Sequence, residues 1–315
     1  MIEQLGLELS EYWSFSPETF KILAQRENTV FRAETNKGPI VIRMHRQGNH
    51  DFDEIQSELQ FMVGVSSHFA NTPCPIATKD GRLVVEHRGK IFTGLDWITG
   101  KTLKEYLSLT SSKRELETIF FDLGGKLANF HIACDAWQPP LGFKRHSWNR
   151  SGLIGINPFW GRFWENPDLH QDERDFMLKI KDRINAVLAG LEDNLDYGMI
   201  HADLIPDNVM IDEDELIFLD FDDCGFGFRI FDLATILQKQ FIAESNFKAI
   251  STALVTGYKS HRKLETEHLD LFLAIRSLTY VGWIVDRYNF IDATERSRHY
   301  INNALLICKR FQHEL

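Results

Sequence analysis

One continuous stretch decides how this sequence is interpreted: residues 199–222 read MIHADLIPDNVMIDEDELIFLDFD. Three apolar pieces, MIHA, NVMI and LIFLDF, alternate with charged turns, a pattern typical of short buried strands. The spacing H-x-D-x-x-x-x-N places Asp203 and Asn208 five residues apart, and the last apolar run reaches Asp220. A tight loop of this kind can turn Asp203 and Asn208 toward one cavity, and we expect the strand to deliver Asp220 beside them.

These three polar residues supply the groups that phosphoryl transfer needs. The reaction requires an acceptor hydroxyl held in line with the transferred phosphate, and a divalent metal that offsets the charge on the phosphate oxygens. Asp203 offers a carboxylate for the hydroxyl, whereas Asn208 and Asp220 offer an amide oxygen and a second carboxylate for the metal. A charged hairpin is the alternative, but the acid at the end of the strand favours a kinase site.

The residues before this stretch predict an antiparallel sheet followed by helices. Five strand-like runs are separated by turn signals and cover residues 19–25, 29–35, 40–46, 82–87 and 90–98. Between the third and fourth runs, helical spacing over 52–67 predicts an amphipathic helix whose outward acids include Glu54 and Glu58. Further helices are predicted at 101–109, 113–134, 171–193, 230–243, 245–259, 265–288 and 293–313.

The predicted architecture is α+β with two lobes. A small antiparallel-sheet lobe, residues 1–97, is expected to bind the nucleotide, and a larger helical lobe, residues 98–315, to carry the catalytic and substrate groups. Residues 135–170 are rich in tryptophan, proline and glycine and show no clear period. We expect 145–165 to cap the substrate side as a lid. The alternative is an aromatic cluster that packs inside the helical lobe.

The composition limits the classes of molecule that the protein is expected to bind. The 315 residues carry a formal net charge of -10 and are 43% hydrophobic, which argues against nucleic acid and anionic membranes as partners. The four cysteines are far apart and form no C-x-x-C pair, as expected for reduced thiols. No window is apolar enough to span a bilayer. These features predict a soluble, cytoplasmic protein.

The motif HADLIPDN…LDFDDCGFGFRIFDLA resembles the aminoglycoside, choline and homoserine phosphotransferases and the related bacterial stress-response Ser/Thr kinases. The resemblance covers nearly the whole chain and implies a protein-kinase-like fold, with ATP and Mg²⁺ as cofactors. By this similarity Asp203 is the catalytic base, and Asn208 and Asp220 are the magnesium ligands. Asp232 is then the buried acid that braces the catalytic loop.

The nucleotide site is predicted from fewer signals. Arg43 on the third strand and Glu58 on the following helix match the strand–helix ion pair of kinases, whose cation contacts the phosphates. A surface pair is the alternative. A G-x-G-x-x-G loop is absent, which suits this family, and Asn28 is the candidate in the corresponding turn. The adenine is expected against the backbone of Trp97 and Ile98.

Several further residues are open to two interpretations. His201 is expected to pack and bond to the backbone rather than to titrate in the reaction. Asp222 and Asp223 fit metal binding, substrate contact or a solvated loop equally. At helical spacing, Arg276, Trp283 and Arg287 roughly share one face, with Asp286 nearby. This face is either a carboxylate-binding arginine beside an aromatic wall or a solvated basic surface.

Two classes of acceptor fit the sequence. One is a small hydroxylated molecule such as an amino acid, an amino alcohol or an aminoglycoside, and the other is a Ser or Thr on a protein. A nucleotide-binding pseudokinase scaffold is the non-enzymatic alternative. The presence of the base and of both metal ligands favours an enzyme.

Overall fold

The computed structural model describes residues 2–25, 27–110, 112–243, 246–288 and 292–314. The chain forms two compact units, each assembled from three segments. The N-terminal unit comprises Met1–Tyr106, Ala136–Arg145 and Asp207–Asp222, and the C-terminal unit comprises Leu107–Asp135, His146–Pro206 and Asp223–Leu315. The predicted division into 1–97 and 98–315 stays a prediction.

A five-stranded sheet forms the centre of the N-terminal unit. Its strands are β1 (Lys21–Gln25), β2 (Thr29–Thr35), β3 (Gly38–Met44), β4 (Val84–His87) and β5 (Lys90–Asp96). They pair antiparallel in the order β1-β2-β3-β5-β4, so the predicted antiparallel sheet is confirmed. Apolar residues that alternate along β2 and β3, such as Phe31 and Ile42, are buried in the core. The ring of Phe20 stacks on that of Phe31 with centroids 4.5 Å apart.

The edge strand β1 differs from the others, because all five of its side chains are exposed. Its pairing with β2 is also irregular, since the register shifts between Ile22 and Ala24. A strand of this kind is held by backbone hydrogen bonds and adds little to the core.

Helix α2 (Phe52–Ser66) follows β3 and starts at a capping box formed by Asp51 and Glu54. Its apolar face buries Ile55, Leu59, Phe61 and Met62. Glu58 shares this buried face and is only 1% exposed, so the prediction that it points outward was wrong. The helical period explains the error, because position 58 lies three residues after Ile55, on the same side of the helix.

A smaller antiparallel sheet in the N-terminal unit carries the end of the decisive stretch. It contains β6 (Lys101–Thr102), β9 (Val209–Asp212) and β10 (Glu215–Phe218) in the order β10-β9-β6. Strands β9 and β10 form a hairpin in which Asp212 pairs with Glu215.

The remaining elements are mostly helices. These are α1 (Ile2–Leu9), α3 (Leu103–Leu109), α4 (Lys113–Ala136), α5 (Arg150–Ile154), α6 (Gln171–Leu191), α7 (Arg229–Ala243), α8 (Phe247–Lys259), α9 (Leu269–Trp283) and α10 (Ala293–Glu314). In the C-terminal unit, β8 (Tyr197–Ile200) pairs antiparallel with β11 (Gly225–Phe228), which pairs parallel with β7 (Ser147–Trp148). Within the described residues, no helix is both long and apolar enough to cross a membrane.

The structure corrects two predicted helices. The helix predicted over 265–288 ends at Trp283 and is followed by a separate 3₁₀ turn. The helix predicted over 245–259 begins at Phe247, and Ser245 lies outside the described residues. Every residue of α9 from Leu271 to Gly282 is buried, so a solvated basic face on this helix was a wrong expectation.

Candidate active site

A single guanidinium gathers the acids of the N-terminal unit. Arg43 on β3 bonds through Nη1 to Glu58 at 3.3 Å and to Asp222 at 3.0 Å. Its Nη2 lies 3.1 Å from Oδ1 of Asp220. Arg43 is 8% exposed, so the predicted strand–helix pair is buried rather than a surface pair. The pair also contacts the acids that follow β10.

The charges of this cluster do not balance. Three carboxylates, those of Glu58, Asp220 and Asp222, surround one arginine. Burial raises the pKa of Glu58 to about 8, and the charge of Asp222 adds to the shift. Burial disfavours the charged form of Asp222, but the charge of Arg43, together with His45, His50 and the hydrogen bond from Asn28, holds its pKa below the usual range. With Glu58 largely protonated near pH 7, Asp220 and Asp222 are the acids whose charge a divalent cation would offset.

Asp222 is the centre of this cluster, and the interpretation of it as a solvated loop acid was wrong. It is 8% exposed and accepts a 2.6 Å hydrogen bond from the Nδ2 of Asn28. Asn28, the predicted phosphate-turn residue, also accepts from the backbone N–H of Arg46 through Oδ1 at 3.0 Å. The guanidinium of Arg145 donates to the backbone carbonyl of Asp222. The nucleotide turn and the acidic strand end are therefore joined by direct bonds.

The predicted metal ligands lie on neighbouring backbone segments. The N–H of Leu219 donates to the carbonyl of Asn208 at 2.8 Å, just before the strand end turns at Asp220. Asp220 has a φ of +63°, a left-handed conformation that is uncommon for a residue with a side chain. Its side chain is 45% exposed despite the contact with Arg43. An amide oxygen and a partly exposed carboxylate suit a hard divalent cation such as Mg²⁺.

Trp97 and Ile98, predicted to lie against the adenine, follow β5 and are half-buried. The guanidinium of Arg32 lies over the Trp97 ring, 4.7 Å from its centroid. This cation–π contact was not expected from the sequence. The adenine-contacting role of the two residues stays a prediction.

In the C-terminal unit, the catalytic loop is held by a buried acid. Asp232 on α7 accepts the backbone N–H groups of His201 at 2.9 Å and of Ala202 at 2.7 Å. His131 lies 3.1 Å from the same carboxylate and burial lowers its pKa, which keeps the imidazole neutral. The φ of Ala202 is +67°, so the loop turns sharply just before Asp203. His201 is fully buried and accepts from the N–H of Asp203 at 3.3 Å, which is a packing role.

Asp203 has a cationic partner in the same unit. Its Oδ1 accepts a 2.5 Å hydrogen bond from Nη2 of Arg276 on α9. The side chain of Asp203 is 19% exposed, whereas that of Arg276 is 0% exposed. Asp203 and Asn208 belong to different units, and their expected convergence on one cavity stays a prediction.

The rings of Trp160 and Tyr280 lie against the Arg276 guanidinium. Trp148 and Trp160 are buried and donate to the carbonyl and the carboxylate of Asp223 at 2.8 Å and 3.0 Å. Gly282 on α9 allows the approach, since a Cβ there would lie 2.6 Å from the Trp160 carbonyl oxygen. The packed aromatic cluster fits these two tryptophans, and the expectation that 145–165 caps the substrate side stays a prediction.

The other predicted substrate residues lie at the end of α9. Trp283 is half-buried, and Arg287 stacks over its ring at 4.1 Å while donating to its carbonyl at 2.8 Å. Asp286 is exposed.

Comparison with known proteins identifies the family. The sequence profile of the phosphotransferase enzyme family matches residues 19–265, well over half of the chain. The chain belongs to this family. This phosphotransferase is 27% identical over 271 residues to a homoserine kinase of Rhizobium etli, covering 83% of this chain and 77% of that protein. It is 29% identical over 255 residues to a homoserine kinase of Sinorhizobium fredii, covering 77% and 70% of the two chains.

Solved structures agree on the fold. The microcompartment-associated aminopropanol kinase superposes with a TM-score of 0.82 at 24% identity, covering 100% of this chain and 98% of that one. The amicoumacin kinase hAmiN, solved with AMP-PNP and Ca²⁺, gives 0.78 at 19% identity, covering 96% and 93%. The predictions of an α+β protein-kinase-like fold and of a kinase-type phosphotransferase are confirmed. Family membership implies ATP use.

Sequence reasoning missed Arg145, and it considered Arg276 only as a ligand for a substrate carboxylate or as part of a solvated face. Arg145 and Arg276 contact the acidic residues from positions 77 and 73 residues away in sequence. A short sequence motif cannot reveal contacts between residues so far apart in the chain. The one signal available for Arg276 was its charge within an otherwise apolar helix, since a buried arginine needs a carboxylate partner.

Proposed function

We propose that this phosphotransferase moves the γ-phosphoryl group of ATP, bound with Mg²⁺, to the hydroxyl of a small amino compound. The relatives support this acceptor class, because homoserine and aminopropanol each carry one amine and one hydroxyl. Neither a protein Ser or Thr acceptor nor a scaffold function gains support from these relatives.

The observation that carries the proposal is the set of bonds around Arg43. The guanidinium is held by Glu58 and at the same time reaches Asp220 and Asp222. Arg43 is thereby oriented to contact phosphates. Asn208 and Asp220 would hold the magnesium ion, whose charge offsets that of the phosphate oxygens when it is bound. Asn28, Trp97 and Ile98 complete the proposed nucleotide site.

Asp203 is the proposed catalytic base. Its carboxylate would orient the acceptor hydroxyl and accept its proton as the phosphoryl group is transferred. Asp232 accepts hydrogen bonds from the backbone N–H groups of His201 and Ala202, and these bonds fix the position of the backbone just before Asp203. Under this proposal the N-terminal unit supplies the nucleotide groups and the C-terminal unit supplies the acceptor groups.

A phosphorylation screen tests the proposal. The purified protein is incubated with Mg-ATP or Mg-GTP and with homoserine, aminopropanol, choline, kanamycin or a general protein substrate, and products are identified by mass spectrometry. We expect phosphorylation of a small amino alcohol or hydroxy amino acid, and its loss when EDTA removes the metal. Propylamine and 2-aminobutyrate are matched controls, since each lacks the hydroxyl. Phosphorylation of the protein substrate alone would contradict the proposal.

A further inference from the structure

Arg276 is an unusual residue for the middle of a buried helix. Its neighbours on α9 from Leu271 to Gly282 are all buried, and its own side chain has no exposed surface. Nη2 donates both to Asp203 at 2.5 Å and to the hydroxyl of Tyr280 at 2.9 Å. A buried charge costs stability unless its pairing is close to ideal.

The pairing of Arg276 is incomplete. Among the described residues, its Nε and Nη1 have no hydrogen-bond partner. Instead, the rings of Trp160 and Tyr280 lie 4.4 Å and 4.3 Å from the guanidinium carbon. Two unpaired buried donors make the arginine a poor choice for stability alone. The two rings restrict the position of the guanidinium, and they thereby keep its Nη2 within hydrogen-bond distance of Asp203.

Arg276 is also poorly placed to bind an acceptor. With its side chain fully buried, a molecule that arrives from solvent meets the partly exposed carboxylate of Asp203 before the guanidinium. The interpretation of Arg276 as the anchor of a substrate carboxylate therefore does not fit. Asp223, which accepts from Trp160, is a further charge that favours the charged form of Arg276.

We propose that Arg276 is a positioning residue, which fixes one oxygen of Asp203 and keeps the carboxylate ionised. This inference rests on the proposed function, in which Asp203 is the base. The bond to Oδ1 fixes the orientation in which the carboxylate meets the acceptor hydroxyl. A nearby positive charge lowers the pKa of a carboxyl group by about one to three pH units. The other groups close to the pair are Tyr280, Asp223 and His201.

Arg276→Met and Arg276→Lys test the inference by steady-state kinetics from the lowest pH at which the protein stays folded, about 4 or below, to about pH 9. In the Met variant we expect the acid limb of kcat/KM to move up by about one pH unit or more, and kcat to fall about 10²-fold. Lys keeps the charge without the planar group, so its acid limb should stay within about half a unit of wild type while kcat recovers in part. The KM values for the acceptor and for ATP should change little.

Arg229→Lys is the matched control, because Arg229 is 1% exposed and pairs with Asp135 in the same unit. Its substitution should lower the melting temperature and leave the pH profile in place. An unmoved acid limb in folded Arg276→Met would overturn the inference. So would a rise in acceptor KM with kcat preserved, since this marks substrate binding. If the Met variant does not fold, Tyr280→Phe, which removes only one partner of Nη2, should lower kcat and leave acceptor KM unchanged, and an unaltered kcat would refute the role.

A readout without turnover separates this inference from the proposed function. Carboxyl ¹³C NMR follows the titration of Asp203, assigned by comparison with Asp203→Asn. Its pKa should rise when Arg276 is replaced, even in a protein that phosphorylates none of the acceptors tested. An unchanged titration would contradict the inference and leave the proposed function standing.

Discussion

The stability of the Arg43→Met variant should depend on pH through Glu58. The substitution leaves Glu58, 1% exposed, without its arginine in the interior. The chain can avoid a buried unpaired charge by protonating this carboxyl, whose pKa burial already raises from 4.5 to about 8 with Arg43 present. Without Arg43 the pKa is expected to rise further, because the arginine charge lowers it.

The cost of protonating Glu58 sets the magnitude. Each pH unit above 4.5 costs about 1.4 kcal/mol, so the orphaned carboxyl costs about 3.4 kcal/mol at pH 7 and about 1.4 kcal/mol at pH 5.5. The sign follows from proton binding: the folded variant holds a proton that the unfolded chain has released, so its stability rises as the pH falls. Glu58→Gln in the Arg43→Met background removes this dependence.

Urea unfolding of the two variants, without metal or nucleotide, measures the effect. They differ only at position 58, so other titrating groups cancel in the comparison. We expect the double variant to be more stable by about 3 kcal/mol at pH 7 and by about 1 kcal/mol at pH 5.5. A difference that stays constant with pH would refute the reasoning. The double variant should remain inactive, because it lacks the proposed phosphate ligand.

Asp203→Asn should lower turnover by roughly 10²–10⁴-fold with nucleotide binding retained, whereas Asp220→Asn should weaken magnesium-dependent nucleotide binding in calorimetry. His45 is buried and burial lowers its pKa to about 3, so the folded state holds it neutral. Its contribution to stability is present above about pH 6.5 and is lost by about 1.4 kcal/mol per unit as the pH falls below that value, a slope that His45→Gln should reduce. Gly282→Ala should cost about 1–3 kcal/mol by thermal unfolding, since the new Cβ would lie 2.5 Å from a carbonyl oxygen, whereas Gly190→Ala has nothing within 4 Å and should not destabilise.

Each of these predictions has a result that would contradict it. Near-normal turnover of folded Asp203→Asn would remove the base assignment, and magnesium-dependent nucleotide affinity of Asp220→Asn equal to that of the wild type would remove the metal assignment. An unchanged acid slope in His45→Gln would mean that the imidazole is not held neutral. Equal stability of the two glycine variants would mean that the loop moves away from α9 at no cost.

The sequence was sufficient to predict those elements whose structure is determined by a local pattern of residues. The alternation in TVFRAET predicted β2 with both of its ends correct, because strand periodicity and flanking turns are local signals. The Arg43–Glu58 pair was predicted from its kinase-like placement and is present. The burial of Glu58 was missed because its charge was weighed above its position in the helical period.

Contacts between distant residues could not be predicted in the same way. Asn28 and Asp222 are 194 residues apart, and Asp203 and Arg276 are 73 apart. Strand β7 spans only Ser147–Trp148, too short to show a period, so its sheet was missed. The motif at 199–222 identified the acidic residues, but the arginines that pair with them became apparent only from the fold.

The exposed edge strand β1 has a consequence for hydrogen exchange. Its amides are bonded to β2, but no side chain of Lys21–Gln25 is buried, and the register shift at Ile22 weakens the ladder further. Opening β1 therefore exposes little apolar surface, and we expect its amides to exchange through local opening, much faster than those of β3. The predicted phosphate turn at Asn28 thus follows a segment of low local stability. Nucleotide bound at this turn should slow exchange in β1 first, before the rest of the sheet responds.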